Sequence, residues 1–111
     1  MYAYEIPGLR FSLPAGGDVA RHRFVSVNSD SNGIQATATA NIIGVSMNQT
    51  KQGEVLEIAD GIVMVEAAKA VTAGALAYAD ANGKVTDTGT VVAGVVITSA
   101  VAGGLAAVKI N

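Results

Sequence analysis

Apolar and polar residues alternate along much of the chain in short runs that end at turn-forming residues. The runs "RFVSV", "IQATATA" and "EVLEI" have the period of two expected of half-buried strands, because successive side chains of a strand point to opposite faces. Only "EAAKAVTA", from Glu66 to Ala73, has a helical composition, and it meets Gly74 after about two turns. The pattern predicts a mainly β protein, a small barrel or compact sandwich, with at most one short helix or 3-10 turn.

The pattern occurs twice, at a shift of fifty positions. The shift places "DSNG", Asp30 to Gly33, on "DANG", Asp80 to Gly83. It also pairs glycines and apolar residues further along: Gly44 with Gly94, Val45 with Val95, and Gly53 with Gly103. We therefore expect one β domain over 17–111 that contains two related halves, about 20–59 and 70–109. An extended N-terminal segment over 1–16 precedes this domain.

The two Asp-containing tetrapeptides could be calcium loops or turns. An EF-hand loop needs an oxygen ligand at position 5, Gly at 6 and Glu at 12, whereas the loop counted from Asp80 has Lys84, Val85 and Val91 there. The loop counted from Asp30 fails at the same three positions. Asn-Gly is instead a strong hairpin signal, and a nearby Asp can cap such a turn. We predict no metal site.

A third turn is expected at Asp60 and Gly61, because an Asp-Gly pair readily adopts the positive φ of a tight hairpin. This hairpin would join "EVLEI" to "IVMVEA". The complete set of predicted structural turn residues is Asp30, Asn32, Gly33, Asp60, Gly61, Asp80, Asn82 and Gly83.

The stretch from Thr88 to Val108 has no charged residue and is long enough to span a bilayer as a helix. Its counterpart in the first half carries Lys51, Glu54 and Glu57, which exclude a membrane span there. If both halves fold alike, the uncharged stretch is a strand, a glycine turn and a second strand. We therefore expect no membrane partner.

Composition removes several classes of function. The net charge is −2, whereas proteins that bind nucleic acid usually carry an excess of positive charge. The absence of Cys excludes thiol catalysis and disulfides. The single histidine, His22, lies between Arg21 and Arg23, whose charges disfavour its protonation and repel a metal ion. We expect no enzyme and no cofactor. The "RHR" segment is either a solvated strand edge or a basic spot that contacts an acidic partner surface.

The apolar half of the composition is dominated by small side chains, with three Tyr, two Phe and no Trp. Small side chains bury little area each, so the core of a solitary monomer would be only modestly stabilising. We therefore expect self-association or docking onto a larger partner.

The segment "VEAAKAV", Val65 to Val71, resembles the surroundings of the modified lysine in biotinyl and lipoyl carrier domains. This resemblance implies Lys69 as an attachment site. The methionines beside the biotinyl lysine and the acidic residue before the lipoyl lysine are absent. A carrier domain modified at Lys69 is therefore an alternative function.

A resemblance to the tailed-phage capsid cement proteins runs from about Arg23 to Ile110. The order "DANGKVTDT" then "AGVVITSAVAGGLAAVKI" resembles the C-terminal half of that family, and "VTAGALAYAD" is similar to the strand that enters it. The segment "GEVLEIADGIVMVEA" resembles the family's central hairpin. "NIIGVSMNQTKQGEVLEI" resembles part of the lambda-type head decoration fold.

This resemblance implies a β-tulip-like fold and a structural capsid decoration protein. Such a protein binds the outside of the expanded head and stabilises the lattice of the major capsid protein, usually as a homotrimer. Its location would be the capsid exterior of the virion, after synthesis in the host bacterial cytoplasm. A head-tail connector or tail component is a second structural alternative.

The N-terminal segment concentrates apolar and aromatic residues ahead of the repeat, and Pro7 and Pro14 favour extended backbone. Two interpretations are open: the segment extends to contact capsid protein or a neighbouring copy, or it is the first strand of the barrel. The predicted contact residues are Tyr2, Tyr4, Ile6, Leu9, Phe11, Leu13, Arg21 and Arg23.

Overall fold

The computed structural model describes residues 6–111, and these residues form β-strands without a helix. The predicted mainly β class is confirmed. The strands are β1 Ile6–Pro14, β2 Phe24–Val27, β3 Gly33–Gln35, β4 Gly44–Ser46, β5 Val55–Glu66, β6 Leu76–Ala79, β7 Val85–Thr86, β8 Val92–Val96 and β9 Leu105–Ile110. Antiparallel pairing joins them in the order β3-β2-β4-β5-β9-β8-β6-β7, with β1 paired to β5 beside this path.

Strand β5 links the two halves of the sheet. Its residue Ile58 pairs with Phe11 of β1 and with Ser46 of β4. Further along, Ile62 pairs with Lys109 of β9 while it still pairs with β1. The first part of β5 therefore belongs to the N-terminal half and its last part to the C-terminal half.

The hairpin predicted at Asp60 and Gly61 is wrong, because both residues lie inside β5. Gly61 does adopt a positive φ of 96°, but at a bulge rather than a turn. Pro7 pairs with Gly61 and Arg10 with Ala59, so two residues of β1 stand opposite Asp60. The Asp60 carboxylate accepts the N–H of Leu9 at 2.6 Å. Pairing with β1 on both sides of the bulge keeps the strand continuous.

The chain is built from two units with the same strand connections, which we call unit 1 (residues 6–60) and unit 2 (residues 58–110). In unit 1, β1 pairs with β5, β2 with β3 and β4, and β4 with β5. In unit 2, β5 pairs with β9, β6 with β7 and β8, and β8 with β9. Strand β5 is thus the last strand of unit 1 and the first of unit 2.

The loops repeat as well, down to individual hydrogen bonds. Val19 and Thr50 exchange backbone hydrogen bonds of 2.9 Å, as do Val71 and Ala100 at 2.9 and 3.1 Å. Residues at matching positions also share the left-handed conformation: His22 with Gly74, Ser31 with Gly83, and Gly53 with Gly103. The loops of the two units therefore share both hydrogen bonds and left-handed positions.

The register of the repeat differs from the prediction in its first part. Asn28 and Asp80 occupy the same turn position, since each side-chain Oδ1 accepts backbone N–H groups two and four residues later. Matching residues of the two units are therefore 52 positions apart up to the end of β3 in unit 1 and of β7 in unit 2. From β4 and β8 onward they are 50 positions apart. Unit 1 has two more residues than unit 2 between Gly33 and Gly44.

This register corrects the predicted turn residues of the first copy. Asn32 matches Lys84 rather than Asn82, and the capping side chain is Asn28 rather than Asp30. Gly33 begins strand β3, and the left-handed position belongs to Ser31 with a φ of 63°. The second copy has the predicted form, with Asp80 as the cap and Gly83 in the left-handed conformation.

The core consists of two apolar clusters. The smaller lies in unit 1 and comprises Ala15, Val19, Val25, Leu56 and Ile58. The matching residues of unit 2 belong to the larger cluster: Ala67, Val71, Ala77, Ala106 and Val108. That cluster also contains Phe24, Val45 and Ala59 of unit 1, so apolar packing joins the two units.

The uncharged stretch from Thr88 to Val108 forms β8, a turn and most of β9, as predicted from its counterpart. Gly103, with a φ of 83°, lies in that turn. Among residues 6–111, no helix has the length and hydropathy required to cross a bilayer.

Candidate functional site

Surfaces rather than a pocket are the candidate functional sites of this chain. In the described range, no three His, Cys, Asp or Glu side chains come together to hold a metal ion. A recess of 290 Å³ is lined by Asp18, Val19, Ala20, Arg23, Gln35, Gln49, Thr50 and Lys51. Ligand pockets are mainly apolar with a few converging polar groups, whereas most residues that line this recess are polar or charged, with charges of both signs.

Strand β1 presents an open edge. Within residues 6–111 this strand pairs along one side only, with β5. Leu9 lies at the bulge and is 59% exposed. Arg10 and Ser12 beside it are also exposed, and Arg10 pairs with Glu57 at 3.5 Å across the surface. Open backbone groups and an exposed leucine make this edge suitable for binding another protein.

The other predicted contact residues of the N-terminal segment have different environments. Phe11 and Leu13 are partly buried and pack against the smaller core cluster. Ile6 begins β1 and pairs with Ile62. Tyr2 and Tyr4 lie outside the described residues. From residue 6 to residue 14, the segment is therefore a strand of the sheet.

The basic segment contains one exposed residue and two that hold the units together. Arg21 is exposed. The backbone N–H of Glu66 donates to the carbonyl oxygen of His22 at 3.0 Å, and the Nδ1 of His22 lies 3.2 Å from the carbonyl oxygen of Met64. Arg23 contacts the Glu66 carboxylate at 3.5 Å and donates to the carbonyl of Asn82 at 3.2 Å. His22 and Arg23 thus connect unit 1 to unit 2.

Glu66 is the centre of this connection. Its carboxylate binds Lys84 at 3.0 Å as well as Arg23. The hydrogen bond from Lys84 is the main cause that lowers the pKa of Glu66 below its ordinary value of 4.5, with the charge of Arg23 adding to it. A lowered pKa means that the folded state favours the ionised carboxylate.

We expect Glu66→Gln to reduce the free energy of unfolding by about 1 kcal/mol at neutral pH, because the pair is only partly shielded from water. The folded pKa lies below the unfolded one, so this contribution is complete above pH 4.5 and is lost as the pH falls through the folded pKa. Urea unfolding of both proteins between pH 3 and pH 7 measures the difference.

The matched control is Glu57→Gln, which removes an exposed ion pair with Arg10 and should change stability by less than about 0.5 kcal/mol. A stability difference for Glu66→Gln that grows as the pH falls would contradict the assigned direction.

Lys69 lies in the segment between β5 and β6. Its ammonium group is exposed and binds Asp87 at 2.8 Å, which lowers the pKa of the Asp87 carboxyl. Ala67 and Val71 on either side form bridges to different partners, Val85 and Ala100. The segment is therefore a crossing between strands and not the hairpin tip that bears the modified lysine in carrier domains.

The comparisons with known proteins agree with this fold and place the chain in a family. Residues 6–110 match the family described as phage cement protein. The crystal structure of the head fiber gp8.5 N base in bacteriophage phi29 has a TM-score of 0.76 and 17% sequence identity, and the match covers 93% of each chain. At this identity the structural likeness shows the fold alone. No curated protein matches the sequence. Because the family match spans both units, the chain belongs to the phage cement protein family.

Proposed function

We propose that this structural capsid protein binds the outside of the expanded phage head and stabilises the lattice of the major capsid protein. The observation that carries the proposal is the match to the phage cement family over residues 6–110, which includes every described strand. The chain acts by binding and not by catalysis. It is made in the host bacterial cytoplasm and works on the capsid exterior.

The composition of the core supports a role in which a larger assembly adds stability. Most residues of the larger cluster are Ala or Val, and few large side chains are fully buried. Contacts with capsid protein and with other copies would bury further apolar surface and add to the stability of the folded chain. We propose a homotrimer as the bound form.

The open edge of β1 is the proposed capsid contact. Backbone addition to an exposed strand gives affinity through N–H and C=O groups, and it tolerates side-chain variation in the partner. Leu9, exposed at the bulge, supplies an apolar anchor beside that edge. Residues 1–5, with Tyr2 and Tyr4, directly precede β1 in the sequence and would add aromatic contacts.

Co-sedimentation with expanded heads that lack decoration tests this contact. We expect the chain to pellet with the heads, and Leu9→Asp to weaken binding by at least about tenfold, as loss of an interface anchor does. Deletion of residues 1–5 should also weaken binding, while it leaves β1 in place.

The control is Val101→Asp, a change at another exposed apolar side chain, 72% exposed and located in the loop before β9. It should bind like the wild type. Equal binding by Leu9→Asp and the wild type would refute the role of the β1 edge, and a chain that never pellets with heads would refute the proposed function.

A further inference from the structure

The two units of the chain are joined in a way that leaves matching surfaces open. Phe24, Val45 and Ala59 are aligned across neighbouring strands β2, β4 and β5 of unit 1, and we call them its rear row. All three are fully buried. They pack in one cluster with four residues of unit 2 that we call its rim: Val63, Val65, Ala79 and Ala93. The joint within the chain therefore brings the rear row and the rim into one apolar cluster.

The repeat places a second rear row on unit 2. Leu76, Val95 and Lys109 are aligned across β6, β8 and β9 at the positions that match Phe24, Val45 and Ala59. Leu76 is 49% exposed, Val95 is partly buried and Lys109 is exposed. No described residue covers this row in the way that unit 2 covers the row of unit 1.

The repeat also places a second rim on unit 1. The four residues that match the rim of unit 2 are Phe11, Leu13, Val27 and Ile43. In unit 2 these positions are fully buried or nearly so. In unit 1, Phe11, Leu13 and Ile43 are only partly buried, and Val27 is 44% exposed. One chain therefore carries one open rear row and one open rim.

We propose that the rear row of unit 2 docks on the rim of unit 1 of a second copy, so that the joint within the chain is repeated between chains. This inference rests on the proposed self-association and specifies its surfaces. A contact between two different surfaces of identical chains is heterologous, and it forms a closed ring when the rotation between copies closes. The proposed homotrimer is such a ring.

The open surfaces differ in size from those of the internal joint. On the rim, Phe11, Leu13, Val27 and Ile43 replace two valines and two alanines. On the rear row, Leu76 replaces the larger Phe24, whereas Lys109 replaces the smaller Ala59. The rim gains more volume than Leu76 leaves, so the two chains must lie further apart at this joint than the two units do within one chain.

The two open surfaces are complementary in charge. Lys109 stands on the rear row. Asp60 lies beside the rim, because its carboxylate accepts the N–H of Leu9 in β1, the strand that supplies two of the rim residues. The matching residues of the internal joint are Ala59 and Ile110, which are apolar. A positive side chain on one surface and a negative side chain beside the other favour this pairing over contact of either surface with itself.

The joint between copies should be weaker than the one within a chain. Arg23 and Glu66, which reinforce the internal joint, are matched by Ala75 and Pro14. One backbone hydrogen bond of the internal joint can be repeated between copies. Within the chain, the N–H of Phe24 donates to the carbonyl of Gly83. The corresponding groups between copies are the N–H of Leu76 and the carbonyl of Ser31. Assembly should therefore be reversible and depend on concentration.

Analytical ultracentrifugation of two variants and their mixture tests the proposal. Leu76→Asp disables the rear row, and Val27→Asp disables the rim; both side chains are exposed, so each variant should fold. We expect the wild type to self-associate and each variant alone to be monomeric, with association weakened at least about tenfold by a buried charge. An equimolar mixture should form a 1:1 complex and nothing larger, because only one intact pair of surfaces remains.

Val101→Asp is the matched control, because Lys51 occupies the equivalent position of unit 1 and the site tolerates charge. It should assemble like the wild type. A wild-type monomer at all concentrations, either variant assembling normally, or a mixture that stays monomeric would each overturn the proposal. Loss of self-association on deletion of residues 1–5 alone would also overturn it, since those residues and not the rear row would then make the contact.

Binding to heads separates this inference from the proposed function. If the variants fail to change assembly but the chain still pellets with expanded heads, the surfaces are wrong and the function stands. If the chain assembles as described but never binds heads, the surfaces are right and the function is wrong.

Discussion

Replacing Gly94 with alanine is expected to abolish stable folding. Gly94 lies in β8 opposite Ile110, and a Cβ at this position would overlap the carbonyl oxygen of Lys109 and lie 2.8 Å from its carbonyl carbon. Both atoms belong to the backbone of β9, so relief requires a shift of the strand pair itself. The expected loss exceeds about 4 kcal/mol, a large part of the roughly 5–15 kcal/mol that stabilises an ordinary domain. Circular dichroism and urea unfolding measure it.

Gly17→Ala is the matched control. No atom lies within 4 Å of a Cβ built at Gly17, so its unfolding free energy should stay within about 0.5 kcal/mol of the wild type. A Gly94→Ala protein that unfolds at the wild-type urea concentration would contradict the close approach of β8 and β9.

Phe24→Ala should have the second largest effect, a loss of about 3–5 kcal/mol. Phe24 is fully buried and is the largest side chain in the core cluster that joins the units. Its removal leaves a cavity at the joint, where Val45 and Ala59 are too small to fill the space. The urea midpoint should fall sharply, with both units unfolding together.

Phe24→Leu is the control for this change, because it retains most of the apolar volume and should lose much less stability than alanine. Equal midpoints for Phe24→Ala and the wild type would show that the joint between the units does not depend on this side chain.

The sequence pattern predicted the strands and the repeat because both depend on local signals. Period-two alternation and paired glycines such as Gly44 and Gly94 survive in each unit, since the same close backbone approach is needed twice. The sequence did not reveal that unit 1 has two more residues than unit 2 between β3 and β4. A constant shift of fifty aligned the similar tetrapeptides "DSNG" and "DANG", although they occupy different positions in their units. The match of Asn28 with Asp80 is visible only in the hydrogen bonds.

The wrong hairpin at Asp60 and Gly61 has a different origin. An Asp-Gly pair favours positive φ, and Gly61 has it, but a bulge and a turn require the same local conformation. Pairing with β1 determines that a bulge forms here rather than a turn, and this pairing joins residues about fifty positions apart. Local sequence does not contain that information.

The candidate surfaces were only partly predictable. Leu9 was predicted as a contact residue and is exposed, whereas Arg23 was predicted as a contact and is used to join the units. The open row of Leu76, Val95 and Lys109 was missed, because each residue alone resembles an ordinary strand position. The repeat carries the signal: comparison of the two units reveals which positions are buried in one and exposed in the other.

Electron microscopy of the chain mixed with expanded, undecorated heads tests the central claim most directly. We predict density on the outer surface of the capsid at local threefold positions, with the β1 edge facing the major capsid protein. Heads that show no added density anywhere on the lattice, at concentrations where the chain is folded and assembled, would contradict the claim.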